Sequence, residues 1–158
     1  MQQARQHGFS LIEVLVAMFV LSIGMLGIGA LFISGLQDSS SAIYRTRAIN
    51  FAEDMADRIR ANPEARASYA VDYDGSGTDN ACSDTDTVVA AACTEAELAA
   101  HDIYTWKQAI SSAALGLPAG KGQVTIDTST TPPTYTVSVQ WSERGGDAQT
   151  YTTSFQAQ

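Results

Sequence analysis

The sequence predicts an α+β fold, in which one long N-terminal helix packs on a small antiparallel sheet of about three strands, with one extra helix and a disulfide loop. Three observations predict it. A run of 24 uncharged residues, Val14 to Gln37, is followed by apolar residues at helical spacing that end near Asn62. Three segments rich in β-branched and aromatic residues lie between residues 123 and 155. Cys82 and Cys93 lie between these two parts of the chain.

The uncharged run is long enough to cross a lipid bilayer. A helix rises about 1.5 Å per residue, so the run reaches roughly 36 Å, and a hydrocarbon core is about 30 Å thick. Glu13 directly precedes the run, and the next charged side chain is Asp38. An acid at the middle of a membrane helix costs about 2.5–3.5 kcal/mol and less near its end, so insertion remains feasible. One interpretation of Glu13 is a helix-start acid that faces the headgroups and the positive end of the helix dipole.

Residues 1–7 form a short polar leader with one arginine, Arg5, and no acid. A secretory signal is cleaved at small residues behind its apolar region, and the end of the run at Leu36 to Asp38 offers no such site. The small residue is instead Gly8, on the polar side of the run. Cleavage there leaves the whole apolar helix on the mature chain, which then begins at Phe9.

The segment from Gly8 to Glu13, Gly-Phe-Ser-Leu-Ile-Glu, resembles the class III signal of type IV prepilins and pseudopilins residue for residue. The resemblance implies the type IV pilin fold, cleavage between Gly8 and Phe9 by prepilin peptidase on the cytoplasmic face, and N-methylation of the new Phe9 amine. It also implies that Glu13 acts in assembly by pairing with the Phe9 amine of a neighbouring subunit. An opposite charge within about 4 Å offsets much of the cost of a buried charge. If one helix were shifted along its neighbour, both charges would be buried without a partner, so the pair also selects the register of assembly.

Three glycines lie close together inside the apolar run, at Gly24, Gly27 and Gly29. Small residues allow membrane helices to pack closely, and glycine also weakens a helix by about 1 kcal/mol. Two interpretations therefore stay open, namely ordinary helix packing in the membrane and a segment that loosens when the subunit enters a filament.

Beyond Gln37 the helix is predicted to continue to residue 61. Asp54 and Arg58 lie one turn apart with attractive charges, and Pro63 ends the helix because proline disfavours helical geometry in the residue before it. The segment from Asp54 to Pro63 resembles the helix end of PilV-type minor pilins. Apolar residues recur at steps of three and four, which indicates an amphipathic helix; they are Ile43, Ala48, Phe51, Ala52, Met55 and Ile59.

The predicted organisation has three parts: a prepilin leader at 1–8, a transmembrane and filament-core helix at 9–36, and a periplasmic head domain at 37–158. The amphipathic helix occupies 37–61 of the head. The leader signal and Arg5 place the N-terminus in the cytoplasm, so the head lies in the periplasm of a bacterial inner membrane and later in an extracellular pilus. The net charge of −8 argues against a nucleic-acid surface, which requires basic residues.

The segment from Ala67 to Ala92 is predicted to be an irregular acidic surface loop. Asp72 to Asp79 has some similarity to a calcium-binding loop, but Ser83 stands where the bidentate glutamate belongs. Cys82 and Cys93 are the only cysteines, and in an oxidising compartment they predict a disulfide that stabilises by roughly 3 kcal/mol. A zinc site requires more ligands nearby than the sequence supplies, so neither metals nor other cofactors are expected.

Thr94 and Glu97 form a capping box, which predicts a helix from 94 to 115, ended by Gly116-Leu117-Pro118. The three β-rich segments, with turns at Pro132-Pro133 and Gly145-Gly146, predict an antiparallel meander between 123 and 155. This helix-then-strands order again resembles PilV-type minor pilins.

No catalytic constellation is evident, and His101 is expected on a helix surface. Two classes of function compete. The first is a minor pilin that joins a tip or initiation complex with other minor pilins and the major pilin, at an inner-membrane assembly platform. The second is an adhesive module displayed on the pilus. A minor pseudopilin of a type II secretion system shares the leader chemistry and is a third alternative.

Overall fold

The computed structural model describes residues 10–82, 92–143 and 146–157. They form two compact units with a boundary between Ser41 and Ala42. The elements are α1 (Leu11–Ala61), a short 3-10 helix (Pro63–Tyr69), α2 (Glu95–Ser111), β1 (Lys121–Asp127), β2 (Thr134–Ser142) and β3 (Ala148–Gln156). The predicted α+β fold, with its long helix, extra helix, three strands and disulfide, is confirmed.

Helix α1 contains the apolar run in its first half. Its apolar side chains from Leu11 to Leu36 are all exposed. Within the described residues α1 is the one helix that is long and apolar enough to cross a membrane by length and composition. The helix ends at Ala61, directly before Asn62 and Pro63, as the proline predicts.

The second half of α1 contributes one face to the core of the head. Ala48, Ala52, Met55, Ala56 and Ile59 are buried, which confirms most of the predicted apolar stripe. The three alanines allow neighbouring side chains to approach the helix backbone closely. Ile43, the first predicted member of the stripe, is half exposed because the packed part of the helix begins after it.

The strands form the predicted antiparallel meander in the order β1-β2-β3. Alternate residues of β2 are buried against the helices, and the others face outward, as the twofold period of a strand requires. The buried residues of this face pack in one cluster with α1 and α2. They are Tyr135, Val137, Val139 and Trp141.

Helix α2 begins with the predicted capping box, in which the Thr94 hydroxyl accepts from the Glu97 N–H and the Glu97 carboxylate accepts from the Thr94 N–H. It ends at Ser111, four residues before the predicted end at 115. The chain turns back early because the Leu117 N–H donates to the Ile110 carbonyl over 2.8 Å. These turn hydrogen bonds satisfy the last carbonyls of the helix in place of another helical turn.

Residues 70–82, which we call the strap, lack regular secondary structure apart from one isolated bridge at Val71, as predicted for an irregular surface loop, but they are held on α2 and β1. The first residues of the predicted loop, 67–69, belong instead to the 3-10 helix. Val71 pairs with Val124 through two backbone hydrogen bonds of 3.0 and 2.9 Å. Further along, the Thr78 N–H donates to the Ala100 carbonyl over 3.0 Å. Gly77 lies so close to the α2 backbone that any Cβ atom there would collide with it. The remainder of the predicted loop, residues 83–91, lies outside the described residues.

Candidate functional site

The proposed processing site at Gly8 and Phe9 lies outside the described residues. The described chain begins at Ser10, whose carbonyl accepts a 3.0 Å hydrogen bond from the Glu13 N–H. Glu13 therefore occupies the first turn of α1, where its negative charge also meets the positive end of the helix dipole.

The side chain of Glu13 lies among apolar neighbours on the exposed surface of α1. Val14, Ala17, Met18 and Leu21 line a shallow groove beside it. No charged side chain follows between residues 14 and 37, a stretch of roughly 36 Å along the helix. A cation that pairs with Glu13 therefore does not come from the described part of the apolar helix.

A second feature of the chain is the disulfide that closes the end of the strap. Cys82 and Cys93 are bonded, with their Cα atoms 5.8 Å apart, which confirms the predicted pairing. Just before Cys82, the Asn80 side chain donates to the Glu97 carbonyl of α2 over 2.8 Å. Because Cys93 directly precedes the capping box, the disulfide ties the strap to the start of α2.

Removal of this disulfide is expected to lower stability. Cys82→Ser combined with Cys93→Ser should lower the free energy of unfolding by about 3 kcal/mol, because the reduced chain has more conformational freedom when unfolded. Chemical unfolding of the full chain in detergent, followed by circular dichroism, measures the loss. Reduction of the wild type should reproduce it, and reduction of the double variant should add nothing. An unchanged midpoint in both reduced wild type and double variant would contradict the role.

The strap is also held by charged groups. The Lys121 ammonium lies 2.6 Å from the Asp74 carboxylate and holds the pKa of that carboxyl below its usual range. Lys107 donates to the backbone carbonyls of Asp72 and Tyr73, over 2.6 and 3.1 Å. Burial lowers the pKa of Lys107, although nearby aspartates oppose this shift.

These contacts bear on the weak similarity to a calcium loop. The Asp72 carboxylate accepts from Gln123 at 3.2 Å, and Asp74 is paired with Lys121, so both face β1. Within residues 10–82, 92–143 and 146–157, no group of three or more His, Cys, Asp or Glu is placed to hold a metal ion. In the described structure both carboxylates are therefore already engaged by side chains of β1.

His101 was predicted to lie on a helix surface, and this prediction is wrong. His101 is only 6% exposed, and its Nδ1 atom lies 3.2 Å from the Asp79 carboxylate. The strap covers this side of α2. The prediction failed because the contact joins two segments that are distant in the sequence, and such a contact produces no local sequence pattern. His101 is thus part of the packing between strap and helix.

A polar network that the sequence analysis missed joins α1, the 3-10 helix and α2. The Asp102 carboxylate accepts from the Tyr69 hydroxyl over 2.6 Å and from Arg58 over 2.9 Å. Arg58 also pairs with Asp54 at 3.0 Å, which confirms that predicted pair. Burial, and next the hydrogen bond to Asp102, raise the pKa of Tyr69 well above its usual range. Asn62 completes the network by donating to the Glu95 carbonyl.

The cap of α2 gives the head a specific response to acid. The Thr94 N–H and hydroxyl hold the pKa of Glu97 below its usual value of 4.5. Its stabilising contribution is therefore complete above the unfolded pKa and is lost as the pH falls through the lower folded pKa. We expect melting temperatures of wild type and Glu97→Gln to differ at neutral pH and to converge in acid. A constant difference at all pH values would contradict this.

Comparison with known families gave two adjacent matches. A model described as Type IV pilin Tt1218 matches residues 30–104, which include the packed half of α1, the strap and the first part of α2. A model of the prokaryotic N-terminal methylation motif matches residues 3–29, which include Gly8, Phe9 and Glu13. No curated protein matches the chain. No solved structure matches it either.

Proposed function

Since the chain belongs to the type IV pilin family, we propose that it acts as a minor pilin. In this proposal the subunit helps to prime pilus assembly in a tip or initiation complex with other minor pilins and is then incorporated in the filament, where it supports twitching motility and adhesion. Its role is structural, as in the family, and it catalyses no reaction.

The proposal includes a defined order of events. Prepilin peptidase cleaves between Gly8 and Phe9 and the new Phe9 amine is methylated. The subunit is then held in the inner membrane by the apolar half of α1, with the head in the periplasm. Assembly moves the helix from lipid into the filament core, where neighbouring subunits replace the lipid around it.

One observation carries the proposal: α1 exposes an unbroken apolar surface that contains a single carboxylate, Glu13, ahead of a separately packed head. In lipid or in a filament core a lone carboxylate is costly, and a Phe9 amine from a neighbour offsets that cost. In the head, by contrast, the carboxylate of Asp102 already has a cationic partner within the chain, Arg58. The arrangement therefore suits a subunit whose helix is completed by other subunits.

The specific role as a minor pilin is supported by the similarity of the segment from Asp54 to Pro63 to the helix end of PilV-type subunits. Within the structure, this segment carries Arg58, which links α1 to α2 through Asp102. The end of α1 is thereby fixed to α2.

Deletion of the gene tests the proposal. We expect the number of surface pili to fall and twitching to be lost, because fewer filaments are initiated, and we expect a plasmid copy of the wild type to restore both. Pili are counted by electron microscopy, and retraction-deficient cells serve to separate initiation from retraction. Unchanged pili with a defect in protein secretion would indicate a pseudopilin, and unchanged pili with lost adhesion would indicate an adhesive module. Either result would contradict the proposed priming role.

A further inference from the structure

The two edges of the sheet differ in how they are closed. The outer edge of β1 is capped by the strap, through the two hydrogen bonds between Val71 and Val124. Strand β3 pairs with β2 along its full length, from Ala148 to Gln156, and no other strand of the described chain pairs with its second edge. That edge presents a row of backbone N–H and C=O groups for which a further strand is the natural partner.

The sequence of β3 has none of the features that usually protect an exposed edge. Natural edge strands are shortened, bulged, or supplied with proline or charged residues, above all lysine. Strand β3 is nine residues long, has an unbroken register with β2, and contains no proline and no charged residue. In a chain with a net charge of −8, this uncharged edge stands apart from the acidic surface around the strap.

The edge is also held rigidly in place. On its inner face, Phe155 stacks on Tyr135 with ring centroids 5.6 Å apart, and the Arg60 guanidinium lies 4.2 Å from the centre of the Phe155 ring. On its outer face, the hydroxyls of Thr152 and Ser138 lie 3.1 Å apart. A preorganised edge loses little conformational freedom when a strand is added to it.

A second copy of this chain does not fit the edge. An antiparallel β3–β3 pair has a twofold axis perpendicular to the sheet. A contact of this kind closes after two copies and cannot be repeated along a filament. In the filament that we propose, copies of one chain are related by rotation and translation, so this pairing does not arise between them.

The other ways of pairing two copies also fail. A parallel β3–β3 pair turns one sheet over, which places the aromatic face of one copy beside the hydroxyl face of the other. Addition of β3 to the β1 edge of a second copy is blocked by the strap, because Val71 already occupies that edge. The occupant is therefore a chain of different sequence.

We propose that the free edge of β3 binds an edge strand of a different pilin-family subunit by strand addition, so that this chain enters a mixed complex through its sheet. The inference deepens the proposed function and rests on it. The incoming strand alternates, with apolar side chains towards Tyr151 and Phe155 and polar side chains beside Thr150, Thr152 and Ser154.

Site-specific photocrosslinking in cells tests the proposal. A photoreactive phenylalanine analogue replaces Thr152 in the full chain, and a matched control replaces Thr125, a threonine on the same outer face of the capped strand β1. Irradiation of cells that express the whole pilus system should give an adduct from the Thr152 position that is absent from the Thr125 position. Mass spectrometry should place the crosslink in a strand of another pilin-family subunit.

Backbone and side-chain changes separate strand addition from ordinary surface contact. Thr152→Val should retain the adduct formed by a photoreactive group at Thr150, because strand addition uses the backbone. Proline is placed at Thr152 and at Thr153 in separate variants, because neighbouring N–H groups of a strand point to opposite edges. One proline removes an N–H that points towards β2, and that variant should melt at a lower temperature. The other removes an N–H at the free edge, so it should keep the wild-type melting temperature and lose the adduct formed from Thr150.

Each other outcome overturns the inference. An adduct of two copies of this chain, equal crosslinking from Thr125, a crosslink outside a strand, retention of the adduct in the folded proline variant, or no adduct at all would each contradict it. The gene deletion tests the proposed function separately. If deletion reduces pili but crosslinking fails, only the role of the β3 edge is wrong; if deletion leaves pili unchanged, the proposed priming role is wrong.

Discussion

Glu13→Ala is expected to leave processing of the chain intact and to reduce its abundance in sheared pili by about two to three orders of magnitude. The reason is that removal of one partner from a buried ion pair leaves the other charge uncompensated, at a cost of about 3–5 kcal/mol, and each 1.4 kcal/mol is about tenfold in an equilibrium. In the assembly proposed above, the uncompensated charge is the Phe9 amine of a neighbouring subunit. The variant should accumulate in the inner membrane in its processed form.

The matched control is Glu53→Ala. Glu53 is an exposed acid on the same helix, so the change in net charge is the same while the apolar half of α1 is untouched. It should enter filaments as the wild type does. Immunoblots of sheared pili and of membranes measure both pools, and the mobility of the chain reports cleavage. Normal abundance of Glu13→Ala in sheared pili would refute the assembly role of this acid.

Trp106→Ala is expected to lower the free energy of unfolding of the head by about 3–5 kcal/mol. Trp106 is completely buried among α1, α2 and the sheet, and its indole N–H donates to the Phe51 carbonyl of α1 over 2.8 Å. The ring also fills the space over Gly122, where a Cβ atom would collide with it. Its loss creates a cavity and leaves a buried carbonyl with one hydrogen bond fewer. Since small domains are stable by about 5–15 kcal/mol, this is a large fraction of the total.

Two further variants make this prediction specific. Trp106→Phe keeps most of the apolar contact but removes the N–H, so its destabilisation should lie between those of wild type and Trp106→Ala. Leu115→Ala removes an apolar side chain that is 72% exposed, and it should change stability little. Unfolding of the full chains in detergent, followed by circular dichroism, measures all three. Equal stability of Trp106→Ala and wild type would show that α2 is not held to α1 through this residue.

Local patterns predicted most of the elements, because each pattern reflects contacts within a few residues. The helical spacing of apolar residues predicted the buried face of α1, and the capping box of Thr94 and Glu97 predicted the start of α2. Twofold alternation gave the strands, since neighbouring residues of a strand face opposite sides. The end of α2 was placed too late because its stop depends on the turn that follows, from Ile110 to Leu117.

Contacts between distant segments were beyond the reach of these patterns. Asp102 accepts hydrogen bonds from Arg58, 44 residues away, and from Tyr69, 33 residues away. No periodic pattern in the sequence predicts either partner. His101 was misplaced for the same reason, since its cover is the strap that contains Asp79. The strap itself contains polar and glycine residues that are typical of a free loop. It is held by backbone pairing with Val124 and by close approach to α2, which depend on geometry more than on residue type.

The sequence by itself determined that this chain carries an exposed apolar helix with one acid near its start, and from the residues between Gly8 and Glu13 it determined the kind of assembly to which such a helix belongs. These features depend only on residues that are close together in the sequence, so the order of residues is enough to specify them. Only the tertiary structure decided which edge of the sheet is closed and which is open. That difference arises because the strap folds back on β1, whereas no described strand pairs with the second edge of β3. The path of a segment in space follows from the packing of the whole head.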